Sequence, residues 1–424
     1  MAPSADRATN GAAPMFPEPL HVGRPNIGDR EQFLRLAGEM FDRRWLSNNG
    51  PLVQEFERRV SDYLGVKHCV AMCNGTIALE IAIRALGMTG EVIVPSYTFI
   101  ATAHALHWQG ITPVFADIDP STHNLDPHAV RQMITSRTTG IIGVHLWGRP
   151  APVEALQEIA DEHGLTLLFD AAHAFCCSHG RRMIGNFGRA EVLSFHATKF
   201  FNSLEGGAVV TNEDELAETL RLMRNFGFAG LDNVIHPGTN GKMVEVCAAM
   251  GLTNFDFIDT VVEANRRNHE AYRLALNGIA DVRLLQYEPS GRNNFQYVVL
   301  EVTEGGVQRR DAILAALHTE NVLARKYFWP GCHRMKPYRE LFPNAGVLLP
   351  QTQFVADRVI VLPTGTTLPA HAAEKIAQVV RGGAEAAIEL PSISARASAV
   401  SASVCIRSWW ARPRDRASRS ASLG

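Results

Sequence analysis

The feature that most constrains this chain lies between residues 64 and 212, where short apolar runs alternate with longer amphipathic stretches. The runs cover residues 68–72, 91–94, 113–116, 140–145, 165–169, 191–195 and 207–211. They are continuously apolar instead of alternating, the pattern of strands buried on both faces. Between most of them, residues 76–86, 99–108, 126–134 and 153–163 repeat with helical period. Strand and helix in alternation predict an α/β domain around a mainly parallel, seven-stranded sheet.

Beyond residue 240 the rhythm changes. A long helical stretch over 244–276 leads to a β-rich segment at 295–302 and a helix at 309–318. A further apolar run at 359–362 is followed by a last helix over 370–388. This pattern predicts a smaller α+β domain, with the large domain spanning 26–260 and the small one 261–390. Two helical stretches, 29–44 and 52–64, precede the first run. Residues 1–25, punctuated by Pro14, Pro17, Pro19 and Pro25, read as a flexible lead.

Charge is nearly balanced, 41 Lys and Arg against 43 Asp and Glu, which argues against a nucleic-acid binder. The balance hides two unlike parts. Residues 394–424 hold six Arg and one Asp among Ser and Ala, leaving a body of net charge -7 and a basic tail over 391–424 that reads as disordered. The seven cysteines are scattered, as expected of reduced core residues. No run approaches the ~18 apolar residues of a membrane span, and the N-terminal stretch has no apolar h-region. A cytoplasmic enzyme with no membrane partner is expected.

Ligands of parallel sheets bind at the carboxyl ends of the strands. The residues found there are Asn74-Gly75-Thr76, Pro95 to Phe99, Asp117, Leu146-Trp147-Gly148, Asp170 to His173, and Ser194 to Lys199. Gly75-Thr76 opens a helix whose free N–H groups suit a phosphate, although an ordinary Thr cap reads the same way. Neither a P-loop nor a G-x-G-x-x-G fingerprint is present. Asp170 ends a buried strand, where a carboxylate needs a cationic partner or caps the next segment. Lys199 is flanked by Phe195, Phe200 and Phe201, and an amine desolvated by aromatic neighbours becomes a nucleophile toward carbonyls, although most lysines are surface residues. A phosphate cradle, a carboxylate for a pyridinium nitrogen and a Schiff-base lysine are together what pyridoxal 5′-phosphate requires. Cys176-Cys177 with His173 and His179 fits no standard zinc spacing, so no metal is expected. His163 reads as solvated, and Tyr97, Trp147 and Trp329 as packed aromatics.

Several segments also resemble a known family. They are Trp45 to Pro51, Asn74 to Leu79, Val94 to Phe99, Val114 to Asp119, Val144 to Gly148, Asp170 to Ala174, Ser194 to Lys199, Glu205 to Gly207, Gly238 to Met243 and Ala324 to Pro330. In this order they resemble the DegT/DnrJ/EryC1/StrS sugar aminotransferases, a branch of fold-type I pyridoxal-phosphate enzymes, across about residues 25–390. The resemblance implies that fold and a homodimer whose active site is shared across the interface. It implies Lys199 as the Schiff-base lysine and Asp170 as the partner of the pyridine nitrogen. Phe99 is implied to stack on the ring, Gly75, Thr76 and Ser194 to bind the phosphate, His173 to lie near the phenolic oxygen, and Asn240 to reach the phosphate of the neighbouring subunit. Lys242 stands where relatives often carry Arg. The wording of the motifs is most similar to enzymes that move an amino group from L-glutamate to C4 of a dTDP-4-keto-6-deoxyhexose, in the biosynthesis of deoxyaminosugars and antibiotics. A 3-keto sugar, a cyclitol ketone, or a non-catalytic regulator retaining the cofactor are the alternatives. The dehydratase branch, with His in place of the lysine, is disfavoured by Lys199, and iron–sulfur branches by the cysteine spacing.

Overall fold

Strands that are mostly apolar on both faces must be covered on both sides, and the computed structural model, which describes residues 13–386, shows how. The runs become β2 (His68–Met72), β3 (Glu91–Pro95), β4 (Thr112–Ala116), β5 (Thr138–Val144), β6 (Thr166–Asp170), β9 (Ala190–Ser194) and β10 (Gly207–Thr211), in the sheet order β2-β10-β9-β6-β5-β3-β4. Only β10 runs against the others. A short hairpin of β7 (Ser178–His179) and β8 (Arg182–Met183) interrupts the alternation. Val92 and Val94 enter the core on one face of the sheet and Ile93 the core on the other, which is why the sequence shows no polar alternation.

Helices α1 (Arg30–Arg43), α2 (Pro51–Leu64), α3 (Gly75–Ala85), α4 (Ala101–His107), α5 (Pro127–Met133), α6 (Val153–His163), α7 (Asp214–Met223) and α8 (Glu245–Phe255) accompany this sheet. Local caps start some of them: Asp29 accepts from Glu31 N–H, and Asp126 from His128 N–H. Others are capped from far away. The buried Glu245 carboxylate accepts from the N–H groups of Leu52 and Val53 at the start of α2, both at 3.0 Å. Gly251 lies flat against the Phe56 ring, with no room for a Cβ, so α2 and α8 pack closely. Truncating the fully buried Phe56 to Ala would cost about 3–5 kcal/mol.

The expected 244–276 helix is two helices, broken at Asp256 and Phe257. The second, α9 (Ile258–Ala275), carries the expected 260/261 boundary inside it. Its first half (Ile258, Val261) packs into the large core and Tyr272 into the small one, so the helix belongs to both. The small domain is an antiparallel sheet of β11 (Val282–Leu284), β12 (Val298–Val302) and β14 (Val359–Leu362), with α10 (Gly306–Thr319) and α13 (Ala372–Ala386) sharing its core. Its other face brings Val299 and Val361 against Tyr97, Trp147 and Phe328, which closes the small domain over the carboxyl edge of the large sheet.

The flexible lead expected over 1–25 is packed from residue 13 onward. β1 (Leu20–His21) pairs in parallel with β13 (Val322–Leu323), and Phe16 and Leu20 are buried in the small core. Prolines punctuate the segment, but two apolar anchors between them suffice to dock it. Residues 1–12 and the basic tail lie outside the described residues.

Candidate active site

The carboxyl ends of β2, β3, β5, β6 and β9 converge on one cavity of about 590 Å³. Gly75, Thr76, Phe99, Asp170, His173, Ser194 and Lys199 all line it, so seven of the eight expected site residues are brought together. Asn240 is not among them. It is exposed on the segment after α7, bridged to Asn225.

At the β2–α3 turn the cap is Asn74, not Thr76: its side chain accepts from Ile77 N–H at 2.9 Å and its carbonyl from Ala78 N–H. The N–H groups of Gly75 and Thr76 remain unpaired among the described residues, at the positive end of an eleven-residue helix. Glycine is required at position 207 and fits tightly at 75. A Cβ on Gly207 would sit 2.6 Å from Gly75 N, and one on Gly75 would come within 3.1 Å of Ser194 Cβ. The strand backbone therefore presses against the turn and sets the Ser194 hydroxyl beside its N–H groups.

Asp170 is buried at the end of β6. Its Oδ1 accepts from Ala172 N–H (3.1 Å) and its Oδ2 from the Thr102 hydroxyl (2.8 Å). Burial pushes its carboxyl above the usual range, against the pull of those two donors and of Lys199 and His145. No ion pair engages it among the described residues. Such a carboxylate calls for a cation inside the cavity.

Lys199 sits on a turn closed by its own N–H donating to the His196 carbonyl at 2.9 Å. Contrary to expectation, the flanking Phe195, Phe200 and Phe201 do not wall the amine. They turn into the core, with Phe195 and Phe201 centroids 5.4 Å apart, and hold the backbone on either side of the lysine. Enclosure in the cavity lowers the Lys199 ammonium to about 8, although Asp170 pulls the other way.

His173 is buried between aromatic rings, parallel to Trp147 and Phe328 and 4.6 Å from Tyr297. Its Nδ1 accepts from Trp147 N–H at 3.3 Å. Burial, with the Lys199 charge adding to it, holds the imidazole well below its usual pKa, and so neutral. Trp147 itself is fully buried at φ +62°, a left-handed conformation that costs a residue with a Cβ about 1–2 kcal/mol.

Sequence reasoning missed the small-domain wall, Tyr297, Tyr327 and Phe328. The only signal was that residues 327 and 328 fall in one of the family-like segments. Phe99, 57% exposed, meets Phe328 edge-on at 6.3 Å. Beyond this pair lies a second chamber of about 320 Å³, lined by Arg325, Lys326 and Trp329, with the Lys326 ammonium 4.4 Å from the Trp329 ring. Tyr97 and Trp147 are core residues, and Cys176 and Cys177 are buried, Cys176 Sγ lying 2.7 Å from the Tyr63 hydroxyl.

The model of the DegT/DnrJ/EryC1/StrS aminotransferase family matches residues 28–381. The chain belongs to that family. It is 36% identical to dTDP-4-amino-4,6-dideoxy-D-glucose transaminase of Shigella dysenteriae over 86% of this chain and 99% of the relative. To the enzyme of the same name from Escherichia coli it is 34% identical, over 86% and 98%. The crystal structure of DesI in the presence of its TDP-sugar product superposes with a TM-score of 0.85 at 48% identity, covering 90% of this chain and 97% of that one. The protein is thus an aminotransferase of fold type I that depends on pyridoxal 5′-phosphate. Its cavity fits that group: unpaired N–H donors for a phosphate, a buried carboxylate in want of a cation, and an amine of lowered pKa.

Proposed function

We propose that this aminotransferase moves the amino group of L-glutamate to C4 of a dTDP-4-keto-6-deoxyhexose, as a cytoplasmic homodimer in deoxyaminosugar biosynthesis, of the kind that serves antibiotic production. The observation that carries the substrate reading is the second chamber. Two cations and an aromatic face, opening from the reaction cavity past Phe99 and Phe328, suit a nucleoside diphosphate whose sugar lies inside. The names of the relatives above support the same class.

The cofactor, when bound, supplies an aldehyde that takes up an amine and a protonated ring that withdraws electrons. The rest is the work of this chain. Lys199, half free base near pH 8, holds the cofactor covalently and carries a proton to and from the amine-bearing carbon. Asp170 keeps the ring nitrogen protonated, and its buried carboxylate gains the cation it lacks. The Gly75 and Thr76 N–H groups with the Thr76 and Ser194 hydroxyls hold the phosphate. His173 would stand on the side of the phenolic oxygen, and Phe99 would cover the ring. Asn240 reaches the phosphate of the neighbouring subunit. Its exposure, among the exposed apolar side chains Phe226, Phe228, Leu231, Val234 and Ile235, favours a covered face there.

The test is direct. Purified protein given glutamate and dTDP-4-keto-6-deoxyglucose should release 2-oxoglutarate. Turnover with a 3-keto sugar or a cyclitol ketone and none with this substrate would overturn the C4 reading.

A further inference from the structure

Trp147 stands between two buried imidazoles, and both of its polar hydrogens are committed. Its backbone N–H donates to His173 Nδ1 at 3.3 Å, and its indole Nε1–H donates to His123 Nδ1 at 3.1 Å. Neither group can accept a hydrogen bond, so each imidazole must present a bare Nδ1 and carry its proton on Nε2. At His123 that Nε2–H meets Glu301 Oε1 at 2.5 Å, and the other oxygen of Glu301 is held by the Arg283 guanidinium. At His173 the Nε2–H is the only donor left on a ring that lines the cavity.

We propose that Trp147 is a positioning residue: with His123 and Glu301 it locks His173 as a neutral Nε2–H donor toward the cofactor oxygen. The proposal rests on the reading of this cavity as the cofactor site. The chain of donors runs one way, from the edge of the large sheet (Trp147) through the loop after β4 (His123) to a strand of the small sheet, where Glu301 is the last acceptor. Docking of the small domain and protonation of His173 are thereby coupled.

The left-handed backbone is what aims the Trp147 N–H at His173, and three contacts hold it there. The indole is anchored on His123, the Trp147 carbonyl accepts from the Tyr287 hydroxyl at 3.1 Å, and the ring stacks on Phe328 at 5.3 Å. The imidazole is fixed in turn through its own backbone: Asn294 Nδ2 donates to the His173 carbonyl at 2.9 Å. Losing the indole anchor frees residue 147 to leave its unfavourable conformation, and the N–H then no longer points at Nδ1.

The experiment reads the ring, not the turnover. Long-range ¹⁵N–¹H correlation on the full-length protein labelled at histidine nitrogens, without cofactor at neutral pH, reports each tautomer; the His173 signals are those that vanish in His173→Gln. The wild type should show Nδ1 bare and Nε2 protonated. Trp147→Phe, which keeps an aromatic ring but not the indole N–H, should shift the tautomer ratio by roughly fivefold or more, the worth of one hydrogen bond. Glu301→Ala should do the same and Glu301→Gln, which still accepts from His123, should restore the wild-type ratio. If Trp147→Phe does not fold, the two Glu301 variants decide alone. A His173 protonated on Nδ1 or on both nitrogens, or a ratio unmoved in folded variants, overturns the proposal. Because no cofactor or sugar is present, those outcomes are independent of the substrate test above.

Discussion

Asp117 and Asp170 look alike in sequence, each a carboxylate at the carboxyl end of a buried strand, yet the fold uses them in opposite ways. Asp117, after β4 near the edge of the sheet, gives both oxygens to backbone donors, Gln351 N–H at 2.9 Å and Thr352 N–H at 2.7 Å. It caps the helix over Pro350–Ala356 in the small domain, and its charge is absorbed there. Asp170, near the middle, is held by one backbone N–H and one hydroxyl and still faces the cavity. The difference teaches that a strand-end acid becomes a site only where the rest of the chain leaves its charge unanswered.

Conservative variants break the pair apart. Asp170→Asn should lower turnover about 10²–10³-fold if, as proposed, the Asp170 charge acts on the reacting ring. Asp117→Asn should leave turnover nearly intact but cost about 1–3 kcal/mol of stability, measured by denaturant titration, because one of the two N–H groups at the start of that helix loses its acceptor. Equal effects of the two variants on turnover would erase the distinction.

The same contrast has a pH signature. The folded Asp170 pKa lies above its unfolded value near 3.8, so ionisation opposes folding. The penalty is absent below the unfolded value, grows as pH rises above it and is complete once pH has passed the folded one. Cofactor-free Asp170→Asn should therefore melt at or above the wild type at neutral pH, with the gap closing near pH 4. Lys199 gives the smallest effect. With its ammonium at about 8, the rate of cofactor capture by the cofactor-free protein should climb about tenfold per pH unit below pH 8 and level off above it.

Much of this was legible from residues alone, for local reasons. Short, mostly apolar runs set between helical stretches read as interior strands, and all seven of them joined the large sheet. Strand ends then pointed to Gly75, Asp170, Ser194 and Lys199 without any knowledge of pairing. What was not legible depended on distant partners. Asp117 is quenched by residues more than 230 positions away. Phe16 and Leu20 were hidden among prolines and found their core only through β13. The wall of Tyr297, Tyr327 and Phe328, and the His123–Glu301 contact behind Trp147, arise where the small sheet meets the large one. No local pattern encodes that meeting.

The central claim is that the chemistry resides on Lys199 at the end of β9. Borohydride reduction of the holoenzyme followed by peptide mass spectrometry tests it. The account predicts the reduced cofactor on the peptide containing Lys199 and its loss in Lys199→Ala. A label on Lys242 or Lys326, or one that survives the substitution, would contradict it.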